Sequence, residues 1–248
     1  MHLEVVGTSI KKRPLPIVAI DGPAGAGKST VARLLAYQLN FILVDTGALY
    51  RCLAMQALER NISLNDEKAL SDLCSNLSFQ FASLEKHRVT HTQGLSIPKL
   101  QVYCNGVDVT DSIRSPELGI AASNVSKLPL VRKALLEVQR SFGDKGGIVM
   151  EGRDIGTVIF PDAELKFFLT ASLESRGSRR LEELKGLGIE KALEQVMKET
   201  SMRDEQDRNR AIAPLKQAEN AILIDSTDKT LEDVVSQMSK LVRDYLKK

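Results

Sequence analysis

Gly22, Pro23, Ala24, Gly25, Ala26, Gly27, Lys28 and Ser29 form the pattern GxxxxGK(S/T). Its composition suits one task. Glycines let backbone N–H groups close around a polyphosphate without Cβ obstruction, and a helix starting at the loop's end adds partial positive charge. The Lys28 ammonium would neutralise the β- and γ-phosphates, and the Ser29 hydroxyl would ligate Mg²⁺, with Thr30 next in the contacting run. The expectation is a bound nucleoside triphosphate, ATP or GTP, with Mg²⁺. Such loops serve motors, switches and transporters as well as kinases, so the activity must be read elsewhere.

A loop of this kind needs a strand before it and a helix after it. Residues 17–20 are a short apolar run ending at Asp21 and Gly22, which predicts a buried strand. Val31, Leu34, Leu35 and Leu39 then follow at helical spacing. Residues 41–44 predict a second buried strand closing on Asp45, and residues 47–58 a second helix. Alternation at this pace predicts βαβ units around a parallel sheet.

The pattern changes between about residues 64 and 105. Residues 78–82 and 100–104 alternate apolar with polar side chains, and Asn105-Gly106 is a strong hairpin signal, so a small antiparallel β insertion is expected. Pro116 opens a mostly helical stretch to about Phe142, followed by a loop at 144–147. Residues 148–150, 165–169 and 221–224 predict three more buried strands, and 231–246 a closing amphipathic helix.

The bulk numbers narrow the class. The chain has 248 residues, 43% of them hydrophobic and 27% charged, which is ordinary for a soluble globular protein. A formal net charge of +2 gives no overall pull toward nucleic acid or membrane. Cys52, Cys74 and Cys104 form no CxxC pair, which argues against zinc and against a disulfide framework. They are expected as buried thiols in a reducing cytoplasm. No apolar stretch has the form of a signal peptide or a spanning helix, and residues 1–15 are expected to be a flexible extension.

Five downstream segments resemble the nucleoside-monophosphate kinases, and within them the bacterial-type cytidylate kinases. They are residues 44–51 (VDTGALYR), 121–124 (AASN), 129–132 (PLVR), 151–158 (EGRDIGTV) and 203–214 (RDEQDRNRAIAP). The last two together are highly specific. The resemblance implies an α/β, three-layer P-loop fold with a monophosphate-binding insertion and a lid. It divides the chain into a core (16–60, 146–170 and 212–248), an acceptor region (about 61–145) and a lid (about 171–211). It implies ATP and CMP or dCMP as substrates, Mg²⁺ with the ATP, a cytoplasmic monomer, and no nucleic-acid or membrane partner.

The resemblance also implies residue roles. Arg51, Arg153 and Arg210 would hold the acceptor phosphate, with Lys28, Arg153 and Arg210 the catalytic cations. Guanidiniums suit this because they offer bidentate donors to an oxyanion. Ser123, Arg132 and Asp154 would read the base. Asp154 can accept from a C4 amino group, whereas the C4 carbonyl of uracil would meet it acceptor to acceptor. Arg203 and Asp207 would hold the sugar hydroxyls, in a stretch that reads as turn-rich. Asp204, Glu205 and Asp207 offset the arginines there, which makes it a poor nucleic-acid patch. Arg176, Arg179 and Arg180 share a helix face at i, i+3 and i+4 and would close over the ATP phosphates.

Three positions depart from the commonest family pattern. Thr46 stands in place of a serine, Glu151 in place of an aspartate, and Gln206 in place of an arginine. Thr46 keeps a hydroxyl for CMP, Glu151 would shift a magnesium–water contact by one methylene, and Gln206 would remove one phosphate-facing charge. A shikimate-type kinase would not need the Arg153-Asp154 pair or the insertion. A nucleotide switch would show NKxD, or DxxG at a strand end, and neither is evident.

Overall fold

The computed structural model describes residues 13–82, 89–92 and 95–248. The chain opens as the loop requires, with β1 (Ile17–Asp21) leading to α1 (Lys28–Leu39), then β2 (Ile42–Asp45) and α2 (Thr46–Glu59). The next stretch holds α3 (Glu67–Cys74), β3 (Phe79–Phe81), β4 (Val89–Thr92), β5 (Leu95–Pro98), β6 (Val102–Cys104) and β7 (Val107–Asp108). After it come α4 (Pro116–Val125), α5 (Pro129–Ser141) and β8 (Ile148–Gly152). A single π-helical turn (Ile155–Ile159) precedes β9 (Leu165–Thr170), α6 (Leu173–Gly186), α7 (Leu193–Arg208), β10 (Ile222–Asp225) and α8 (Leu231–Leu246).

The core is a parallel sheet of order β10-β9-β1-β8-β2. β1 lies at its centre, with Ile17 opposite Ile148 on one side and Val18 opposite Leu165 on the other. Both faces of β1 are covered and all five of its residues are buried, so its sequence is a continuous apolar run rather than an alternation. α1 lays Val31, Ala32, Leu35 and Ala36 against this sheet, and α8 packs beside it behind a Thr230–Asp233 capping box. The ends of β1, β2 and β8 converge where Asp21, Asp45 and Gly152 lie, the crevice that open α/β sheets offer to ligands.

Within the insertion, β3 pairs antiparallel with β6, and β6 with β7. Asn105 and Gly106 carry φ of 52° and 79°, the left-handed pair that a tight hairpin demands. The purely β expectation for this region misses α3, an eight-residue helix that buries Leu70, Leu73 and Cys74 and is capped by Asp66. With only two turns, its periodicity is too short to separate from a loop. The helical stretch from Pro116 is likewise two helices. Ser115 caps α4 by accepting from the Leu118 N–H at 3.2 Å, and Pro129 opens α5.

The N-terminal expectation is corrected at its inner end. Arg13 pairs with Asp162 at 2.6 Å and Glu164 at 3.1 Å, and its guanidinium lies 5.7 Å from the Phe160 ring centre. Glu164 also accepts from the Ile17 N–H at 2.8 Å, so residues 13–17 are tied to the core. Residues 1–12 lie outside the described residues. The three cysteines are free and buried. Among the described residues no helix is long and apolar enough to cross a membrane.

Candidate active site

The phosphate loop leaves β1 through Gly22, whose φ of 152° and distance of 1.9 Å from a built Cβ to the Leu169 carbonyl admit no other residue. Lys28 begins α1, is buried, and donates through Nζ to the Pro23 carbonyl at 2.7 Å. Burial pushes its pKa down to about 7, with Arg153 pushing the same way and Glu151 and Asp207 opposing. This ammonium is held among cations in a dry site and gains most when a polyanion arrives.

Ser29 is exposed at the loop's mouth, where its side chain helps to lower the Glu151 pKa. The Glu151 carboxyl is pushed up by burial and then by Asp45, an acidic pair that the nearby cations only partly balance. Two close carboxylates and a hydroxyl beside a phosphate cradle suit a divalent cation. Among the described residues no three acidic, His or Cys side chains are grouped so that they could hold a metal ion by themselves.

α6 and α7 lie directly against the loop. Arg176 is buried, donating to the Ala171 carbonyl at 3.0 Å and the Ala24 carbonyl at 3.0 Å, and it pairs with Asp204. Arg176 lies in the first turn of α6, where its Nε and Nη1 fasten the loop. Arg179 donates to the Ser226 hydroxyl at 3.0 Å and the Ser226 carbonyl at 2.6 Å, with one guanidinium nitrogen 3.9 Å from a Cβ built on Gly27. Arg180 is at the surface, paired with Glu183 at 2.9 Å.

Arg153 and Arg210 gather around Asp207. Arg153 Nε donates to the Asp207 carboxylate at 2.8 Å, and Arg210 Nε donates to the Asp207 carbonyl at 3.3 Å. Burial pushes Asp207 up, but Arg153, Arg210 and Arg203 outweigh it and hold the carboxyl below its usual range. Arg203 Nε and Arg210 Nη2 are buried without a hydrogen-bond partner. Burial, followed by Arg153, drives the Arg203 pKa down to about 10. Arg51, half-buried on α2, is also lowered by burial, with Asp45 opposing. Buried donors that find nothing to bind are costly, and here they surround one place.

At the far end Arg132 pairs with Asp154, donates to the Ser126 carbonyl at 3.2 Å, and lies 5.9 Å from the Tyr50 ring centre. A cavity of about 320 Å³ opens beside this pair, walled by Tyr50, Leu136, Ile159 and Ile212. Ser123 is half-buried on α4, one turn before Ser126. The Thr46 hydroxyl donates to the Glu151 carbonyl at 2.8 Å, and a Cβ on Gly152 would lie 2.6 Å from it. Thr46 thus braces β8 against α2, and its proton is not free for a ligand.

The stretch 203–208 is the end of α7, not a turn-rich loop. Its charged residues are helix-compatible, and the i, i+4 spacing turns Arg203 and Asp207 inward while Gln206 stays exposed, away from any inward phosphate. Asp204, which the sequence reading took only as an offsetting charge, is buried and accepts from the Ala24 N–H at 3.2 Å. Arg114 was missed altogether. It donates to Asp45 at 3.1 Å, and a single arginine in a loop gives no signal.

A parallel sheet with a GxxxxGK(S/T) loop after its central strand, facing a cluster of buried arginines, defines a P-loop phosphotransferase. The sequence model of the cytidylate kinase family matches residues 18–244. The cytidylate kinase of Syntrophotalea carbinolica is 45% identical over 91% of this chain and 91% of its own length. That of Geobacter sp. strain M21 is 47% identical over 93% and 94%. Among solved structures, a shikimate kinase from Acinetobacter baumannii in complex with shikimate matches with a TM-score of 0.43 at 15% identity, covering 94% of this chain and 96% of that one. The chain belongs to the cytidylate kinase family.

Proposed function

We propose that the chain transfers the γ-phosphoryl group of ATP to CMP or dCMP in a direct in-line step, with ATP on the Gly22–Lys28 side of the crevice and the monophosphate on the arginine side. The observation that carries this reading is the pair of buried, unpartnered donors, Arg203 Nε and Arg210 Nη2, between the phosphate loop and the Arg132–Asp154 pair. An anionic nucleotide seated there would supply the missing acceptors.

Gly22 to Thr30 would wrap the triphosphate, with Lys28 on its terminal phosphates and Arg179 at the loop's outer edge. Mg²⁺ bound with ATP would offset charge on the phosphate oxygens, held by Ser29 with Glu151 nearby. Arg51, Arg153 and Arg210 would fix the acceptor phosphate in line. Arg203 and Asp207 would hold the sugar, while Ser123, Arg132 and Asp154 would select cytosine. The acceptor oxygen is already anionic, so no general base is required. Rate enhancement would come from alignment and from cations around a loose transition state. Cover from α6 and α7 would keep water from the terminal phosphate.

The direct test is an ATP-coupled assay across CMP, dCMP, UMP, AMP and shikimate. CDP and dCDP should form with multiple turnovers. Faster transfer to shikimate or AMP would refute the reading.

A further inference from the structure

Asp154 immediately precedes the π-helical turn, where an aspartate ordinarily folds its carboxylate onto the free amides of the first turn. It makes no such bond here and pairs with Arg132 instead. The amides are taken by another chain segment. Asp21, the last residue of β1, accepts from the Ile155 N–H at 2.7 Å through Oδ1 and from the Gly156 N–H at 2.8 Å through Oδ2. Asp21 is only 3% exposed, so both carboxylate oxygens are committed to this grip.

We propose that Asp21 is a positioning residue for base recognition, capping the Ile155–Ile159 turn in place of Asp154 and so leaving the Asp154 carboxylate free for Arg132 and the incoming base. This rests on the reading of Asp154 as the group that selects cytosine. Asp21 also adjoins Gly22, so one carboxylate joins the phosphate loop to the base-reading turn. The charged groups around it are Lys28 from α1, Lys166 from β9 and Asp154 itself. Lys166 is occupied with the Pro161 carbonyl at 2.5 Å. Burial raises the Asp21 pKa to about 6, with the two amides pulling it down.

Asp21→Asn keeps the shape but turns an NH₂ toward one of the two amides, leaving that N–H without an acceptor. Asp154 then has an incentive to fold back onto its own turn. The kcat/KM ratio of CMP over UMP should fall about tenfold, with KM for CMP rising. A purely structural role would lower the melting temperature and slow both nucleotides equally. That result, with the ratio intact, overturns the proposal.

Asp154→Asn is assayed beside it. If Asp154→Asn collapses the ratio and Asp21→Asn does not, only the Asp21 proposal fails. If Asp154→Asn leaves the ratio unchanged, the base-reading assignment itself fails. Should Asp21→Asn not fold, the wild-type ratio is followed from about pH 8 to about pH 5. Protonating Asp21 turns an O–H toward one amide, so the ratio should drop as pH falls through about 6. Phosphate titration is common to CMP and UMP and cancels. A flat ratio overturns the proposal.

Discussion

Asp204 and Arg176 hold the same residue of the phosphate loop by its two opposite poles. Asp204 accepts from the Ala24 N–H at 3.2 Å while Arg176 donates to the Ala24 carbonyl at 3.0 Å, and the two side chains are paired with each other. Breaking a buried pair of this kind by removing one partner costs about 3–5 kcal/mol, because the other charge is left alone in a dry place. Asp204→Ala should therefore lower the melting temperature strongly and raise KM for ATP. Asp204→Ala combined with Arg176→Met should recover much of the stability. Thermal melts of the single and double variants check this, and additive losses would count against the coupling.

Lys28 should take up a proton when ATP binds. Its pKa in the free protein is lowered to about 7, and a triphosphate restores the charged form. At about pH 8 uptake should approach one proton per site, shrinking toward zero near pH 6. Calorimetry in buffers of different ionisation enthalpy measures it. Lys28→Ala should abolish both the uptake and nearly all transfer while the melt stays cooperative.

Asp154→Asn should reduce selection of CMP over UMP, because an amide can turn its NH₂ toward a C4 carbonyl. The buried Arg132 loses its counter-charge in the same variant, so some loss of stability accompanies the effect. The kcat/KM ratio of the two nucleotides, measured well below the melting temperature, isolates the selectivity.

Arg210→Ala should cost about 2–4 kcal/mol of transition-state stabilisation with little change in melting. Its Nη2 has no partner to lose within the protein, and its Nε contact to the Asp207 carbonyl is a long one. Steady-state kinetics set beside a melt distinguish this from a surface ion pair, whose loss would leave kcat/KM intact.

What the sequence revealed followed from repetition and from motif density. β1 and β8 were visible because burial on both faces leaves them nearly all apolar, and α8 because four turns of periodicity are hard to mistake; β10, read as buried, is an edge strand whose Leu223 is 54% exposed. α3 was invisible because two turns are too few. The inward residues at 203 and 207 were legible as charged groups but not as helix, since their charges conceal any apolar stripe. Arg176 was read as phosphate-facing, and the spacing gave no sign that its Nε and Nη1 also fasten the loop. Spacing places a side chain on a face, but only the packed structure shows whether that face meets solvent or the loop. Asp21 shows the same limit, because a carboxylate that caps a turn far along the chain leaves no local pattern.

The order of strands in the sheet bears on how the chain is made. β1 and β2 emerge from the ribosome first, yet they are not neighbours, since β8 lies between them and β9 flanks β1 on the other side. Every parallel pairing of the N-terminal strands thus awaits segments from beyond the chain's midpoint, and loop closure delays such distant contacts. We predict that nascent chains released before Thr170 leave β1 without both its partners and remain sensitive to protease. Chains long enough to expose β8 and β9 should gain resistance abruptly, and gradual gain with length would exclude this order of assembly. Vectorial synthesis gives β1 no early foothold in its sheet: it has to wait in the cell, exposed, for the later neighbours that will enclose it.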